Sequence, residues 1–353
     1  MSDSGLTRFL KEHKEKLNPL LVLTHDYPDP DALASAFALT YLAEQLAGIH
    51  GKIVHGGVIG RSENREMARL LKIPAHKLQT SDLSHFAGIA LVDTQPIFDN
   101  NSFPATRKAS LVIDQHPSDE PPNAEFVLID TEAAATSALL ARELLASNLA
   151  IPAPLATALV YGILSDTLNF FRVTNRETIE LYLRLLHRAD IRMLARIQNP
   201  PRPRKFFGDL AAGIEKAWAQ GTLIVTHLGP TEFPDHISQM ADFLLTCEGI
   251  QWAFCTGWHG EFLHMSLRTN LPDGQAVVIL RAICDHPRQA GGHGQIAGGK
   301  VNLGAMNEKS RWKSTEEFTR RLINQLDKGR RGRITPLIAS GPVGLMPQQK
   351  RRS

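Results

Sequence analysis

Two spacings of apolar residues alternate along the chain. Short apolar runs that read as buried strands fall at 20–24, 52–55, 88–92, 110–114 and 126–129. Apolar positions recur at helical spacing over 32–47, 62–72, 135–147, 153–164 and 176–188. Strands alternating with helices predict a mostly parallel α/β sheet with helices on both faces. A short amphipathic helix precedes the first strand, with Leu6, Phe9, Leu10 and Leu17 on one side. The run ARIQNPPRPRKFF breaks the rhythm, because its prolines at 200, 201 and 203 cannot continue a helix. A second, mixed pattern follows: helix 206–219, strand 221–226, helix 235–246, strands 251–257 and 261–268, helix 276–284, a glycine-rich loop and a helix over 314–327. The expected organisation is a domain over 1–197, a linker over 198–205, a smaller mixed α/β domain over 206–328 and a tail over 329–353.

Composition changes this picture little. With 353 residues, 43% hydrophobic, each half has material for a packed core. No apolar run reaches the ~18 residues of a membrane span, and the charged start lacks a signal core. Three cysteines form no CxxC pair and read as core residues of a reduced, cytoplasmic protein. Charge distribution says more. Residues 328–353 hold seven cations and no acid, and taking these from the overall +3 leaves the rest at −4. The tail therefore reads as a disordered, solvated segment, with an RNA-contacting arm as the sharper reading.

The chemistry sits at strand ends. After Leu20–Leu23 come His25, Asp26, Asp29 and Asp31, within seven positions and directly before an apolar helix. Asp93 ends another apolar run, Asp114 and His116 a third, and Asp166 closes the helical run VYGILSD. In an open parallel sheet this carboxyl-end edge is where ligands bind. One strand-end Asp alone is better read as a helix or turn cap. Asp26 is assigned that way, as a cap or solvated residue, and Asp130 or Thr131 as the cap of a helix start. Asp29, Asp31, Asp93 and Asp166 together would repel, and two divalent cations would neutralise them. Oxygen donors with a few imidazoles suit Mn²⁺, with Mg²⁺ as the other candidate, better than Zn²⁺.

The series His25-x-x-Pro28-Asp29-x-Asp31, Asp93, Asp114-Gln115-His116 and Asp166 resembles the four motifs of the DHH phosphoesterase superfamily. MSLRTN at 265–270 and AGGHGQIAGG at 290–299 resemble the arginine strand and Gly-Gly-His loop of its associated C-terminal domain. The architecture resembles the nanoRNase/pAp-phosphatase type, and the likeness extends to about residue 328. The resemblance implies that His25 and Asp29 hold a first metal, Asp31 and Asp166 a second, and that Asp93 bridges them. It implies that His116 contacts the scissile phosphate, and that Arg268, His293 and the backbone of Gly291 and Gly292 grip the far end of the substrate. The implied activity is metal-dependent hydrolysis of phosphoester bonds in small nucleotides or short single-stranded RNA, with no membrane partner; a homodimer is left open. One position departs from the family pattern: Gln115 stands where a metal-binding His is expected. An amide is a weaker donor, so Gln115 either completes the second site loosely or marks a nucleotide-binding regulator with weak or no catalysis.

Overall fold

A computed structural model of the protein describes residues 4–104, 106–118, 120–171, 175–326 and 332–338, without the side chains of Arg288 and His293. The chain divides into two compact units, Met1–Pro201 and Arg202–Ser353. No helix among the described residues is long and apolar enough to cross a membrane.

The first unit carries strands β1 (Leu20–Leu23), β2 (Gly51–His55), β3 (Ala75–Lys77), β4 (Gly88–Val92), β5 (Ala109–Asp114) and β6 (Ala124–Ile129). They form one sheet in the order β3-β2-β1-β4-β5-β6, every neighbouring pair parallel. The period-2 rule shows in β1: Leu20 and Val22 enter one core, Leu21 and Leu23 the core on the opposite face. Both faces are buried, so the strand reads as an unbroken apolar run. The amphipathic start forms the helix Gly5–Glu12, which buries Leu6 and Leu10 and is capped by Ser4. Strand order reverses between β1 and β4, which creates a crevice at their carboxyl ends.

The second unit carries β7 (Trp218–Gln220), β8 (Leu223–Pro230), β9 (Trp252–His259), β10 (Phe262–Thr269), β11 (Ala290–His293), β12 (Ile296–Asn302) and β13 (Ile334–Pro336). Their order is β11-β12-β10-β9-β8-β7-β13, and only the β8–β9 pair is parallel, joined through the helix Asp235–Leu244.

Several expectations need correction. β3 and β7, three residues each, and the helix Ile191–Gln198 are elements beyond those expected. The glycine-rich segment is not a loop but the antiparallel pair β11–β12. At Gly292, φ is +136° and a Cβ would lie 2.2 Å from the Ile296 carbonyl oxygen, so the strand needs glycine there. The tail expected to be disordered over 329–353 contains β13, which extends the sheet edge at β7; residues 327–331 and 339–353 lie outside the described part.

Candidate metal and phosphate site

Local rules build the first corner. β1 ends at Leu23, and Asp29 caps the helix Pro30–Ala47, its Oδ1 accepting from the Ala32 N–H at 3.0 Å. Pro30 at the first helical position has a ring suited to that turn. The intervening loop is braced by Asp26, whose N–H donates to the Asn100 carbonyl at 2.7 Å and whose carboxylate accepts from Ser102. Asp26 is thus a bracing residue rather than a solvated one. A Cβ on Gly56 would stand 2.0 Å from its Oδ1, so the β2 end approaches this loop only as glycine.

β4 supplies Asp93, buried and left-handed at φ +58°. A non-glycine residue in that region carries strain, and Asp tolerates it better than most. The turn aims the Asp93 carboxylate at two imidazoles. Oδ2 lies 3.6 Å from His25 Nε2, and Oδ1 lies 3.8 Å from His116 Nδ1. His25 Nε2 is also 3.9 Å from Asp29 Oδ1. Donor atoms of His25, Asp29 and Asp93 gather within 4.8 Å of one another, as do those of Asp93, Asp114 and His116. One nitrogen and two carboxylate oxygens at that spacing fit a divalent cation.

The remaining expected ligands are placed differently. Asp31 is fully buried, and its two oxygens accept from the Thr136 and Ser137 N–H groups, each at 2.8 Å. It caps the helix Thr136–Ala146, which has no side-chain cap from its own sequence. Neither Asp130 nor Thr131 does so; Asp130 instead pairs with Arg142 at 3.3 Å. Asp166 ends the helix Ala153–Asp166 and accepts from Gln115 Nε2 at 2.6 Å.

Asp114, Gln95 and Thr136 matter more than the sequence indicated. Asp114 is fully buried, pairs with His116 Nδ1 at 2.8 Å and accepts from Gln95 Nε2 at 2.8 Å. Gln95 also donates to the His116 carbonyl at 2.8 Å, so one amide fixes both members of the Asp–His pair. Thr136 Oγ1 donates to Asp93 Oδ1 at 2.9 Å. The only hint of Gln95 was its place two residues after Asp93; Thr136 carried none.

Excess negative charge shows in the titration of the site. Burial, then the Asp166 and Asp29 carboxylates, raise Asp31 to about 8. Burial and the surrounding carboxylates raise Asp93 well above the usual carboxylate range. Burial would lower His116, but its hydrogen bond and ion pair with Asp114 outweigh this and lift it to about 9. Burial would raise Asp29, yet the hydrogen bond and charge of His25 hold it near 2.

In the second unit, Arg268 is buried on β10. Its Nε donates to Asp242 Oδ1 at 2.6 Å and its Nη1 to the Leu267 and Ala297 carbonyls at 3.1 Å. Gly291 and Gly292 lie on the exposed edge strand β11 with His293.

No protein-family model matches the chain. An uncharacterised protein of Methanocaldococcus jannaschii is 33% identical over 316 residues, which are 89% of this chain and 64% of that one; the chain thus spans just under two thirds of that relative. The crystal structure of an exopolyphosphatase-related protein from Bacteroides fragilis overlays with a TM-score of 0.67 at 14% identity, covering 90% of this chain and 97% of the other. RecJ from Thermus thermophilus, in complex with Mg²⁺, gives a TM-score of 0.46 at 15% identity over 94% of this chain and 54% of its own. The chain shares the α/β fold of the exopolyphosphatase-related protein.

Proposed function

We propose that the protein is a metal-dependent phosphoesterase acting on small nucleotides or short RNA oligomers. The observation that carries this reading is the convergence of His25, Asp29 and Asp93 at the β1/β4 switch point, beside a His116 held by Asp114. His25, Asp29 and Asp93 would hold a divalent cation, which would supply Lewis-acid stabilisation of phosphoryl charge and activate the attacking water. The chain's own residues do the rest. Asp114 holds His116 Nδ1 at 2.8 Å and favours its charged form, so the imidazolium would place positive charge toward a phosphoryl oxygen as negative charge builds there. Gln95 holds that pair in place, so little reorganisation is needed at the moment of reaction. Asp93, fixed by Thr136 and the left-handed turn, lies between the two imidazoles, 3.6 Å from His25 and 3.8 Å from His116. Mn²⁺ is the favoured ion, with Mg²⁺ as the other candidate.

The relative from Bacteroides fragilis is described as exopolyphosphatase-related, so polyphosphate belongs among the substrates tried. The test is hydrolysis with Mn²⁺ of pAp, RNA dinucleotides, five-residue RNA, cyclic di-AMP, pyrophosphate, polyphosphate and long single-stranded DNA. Turnover of a short nucleotide substrate that is lost with Asp93→Asn supports the reading. Tight nucleotide binding without turnover of any substrate supports the second reading, a nucleotide-binding regulator, which the Gln115–Asp166 hydrogen bond favours.

A further inference from the structure

We propose that this centre takes one divalent cation rather than two, with the Gln115 amide standing where a second ion would bind. The inference rests on the phosphoesterase reading and changes its metal count. The one-ion group is His25, Asp29 and Asp93. A second ion would draw on Asp31, Asp93, Asp166 and Gln115, and each already makes a hydrogen bond that the ion would have to share or replace. Both Asp31 oxygens accept backbone N–H groups at the start of the helix Thr136–Ala146. Asp93 Oδ1 accepts the Thr136 hydroxyl. Asp166 Oδ2 accepts from Gln115 at 2.6 Å.

The Gln115 contact decides the matter chemically. A carboxylate only accepts, so the end of Gln115 turned to Asp166 is the NH₂ group. That nitrogen has no lone pair to offer a cation. The hydrogen bond partly neutralises Asp166 with an N–H dipole, where a metal would have done so with full charge. For an ion to enter, Gln115 would have to rotate to present Oε1, and the Asp166 bond would break. Asp31, Asp93 and Asp166 accordingly form no compact donor group among the described residues. The other compact trio, Asp93, Asp114 and His116, is no substitute, because the His116 nitrogen facing it is hydrogen-bonded to Asp114 at 2.8 Å.

The test uses the full chain stripped of metal. Mn²⁺ is titrated in by calorimetry, bound metal is counted, and the electron paramagnetic resonance spectrum is recorded. The expected result is one ion per chain with the spectrum of an isolated Mn²⁺. Asp29→Asn is expected to weaken that ion by about 100-fold or more, above the range seen for losing an outer-shell partner. Gln115→His is expected to take up a second ion and show the spectrum of a coupled pair. Two ions of similar affinity in the wild type, or a coupled spectrum there, would overturn the inference while leaving the phosphoesterase reading intact. No bound ion in the wild type would overturn both. A folded Gln115→His protein that still binds one ion would overturn the role given to Gln115. Should that variant fail to fold, the wild-type count decides alone.

Discussion

Buried charge is handled in opposite ways at the β1/β4 edge of the first unit and on β10 of the second. At the edge, Asp29, Asp31, Asp93, Asp114 and Asp166 gather near His25 and His116, and burial with mutual repulsion drives Asp31 and Asp93 upward. On β10, Arg268 meets Asp242 and two backbone carbonyls, and the charge is matched within the fold. A surplus of one sign that the fold does not neutralise marks where an external charge belongs. A matched pair marks a structural contact. Arg268, expected from the motif to grip substrate, thus has a structural partner already, and substrate contact would have to compete with Asp242.

The comparison breaks most sharply at Asp93. Asp93→Asn is expected to lower phosphoester turnover by roughly a thousandfold, the upper range for losing one charge-stabilising group. It should also abolish tight Mn²⁺ binding. Because it relieves repulsion, the metal-free variant should melt no lower than the wild type. Retained turnover with normal metal content would remove Asp93 from the centre.

Metal removal tests the surplus itself. Asp31 sits near 8 folded against an ordinary 3.8, and His116 near 9 against 6.5. In both, the folded state keeps a proton that the unfolded chain releases, so stability falls as pH rises through that window. Metal-free protein should therefore melt progressively lower from about pH 4 to 9. Mn²⁺ at a hundred times its Kd should add about 2.7 kcal/mol, with the pH slope reduced. A metal-free melting temperature that climbs between pH 5 and 8 would contradict the charge reading.

In the second unit the expected effect is on stability. Arg268→Ala should cost about 2 kcal/mol, below the usual range for a broken buried pair because Asp242 is 41% exposed. Turnover of a small generic phosphodiester per folded molecule should not change. If stability holds while only longer substrates suffer, Arg268 grips substrate after all. Smallest is Gln95→Leu, expected to lower kcat about tenfold, or ~1.4 kcal/mol of transition-state stabilisation, with KM unchanged. A rise in KM alone would assign Gln95 to substrate binding instead.

Much of the scaffold is written locally. The apolar runs of β1, β4, β5 and the helix Ala153–Asp166 are long or strongly patterned, so periodicity gives their type and nearly their ends. The capping of Pro30–Ala47 by Asp29 is likewise local, since Asp-Pro with an apolar helix to follow suffices. That acids gather at one edge follows from parallel topology, which places every such strand end on the same side. What the sequence could not decide is which acids stay available. Asp31 and Asp93 both follow an apolar strand along the chain, Asp93 directly and Asp31 after the loop and at the start of the next helix. Their fates differ because helix Thr136–Ala146, 105 residues away from Asp31, lacks a cap and claims both of its oxygens. Asp166 and Gln115 are 51 residues apart, and only the packing of their two elements lets an amide reach the carboxylate. Residue types and strand ends are local properties, and the sequence determined them; hydrogen-bond partners across such separations depend on how the elements pack, and the tertiary structure alone decided them.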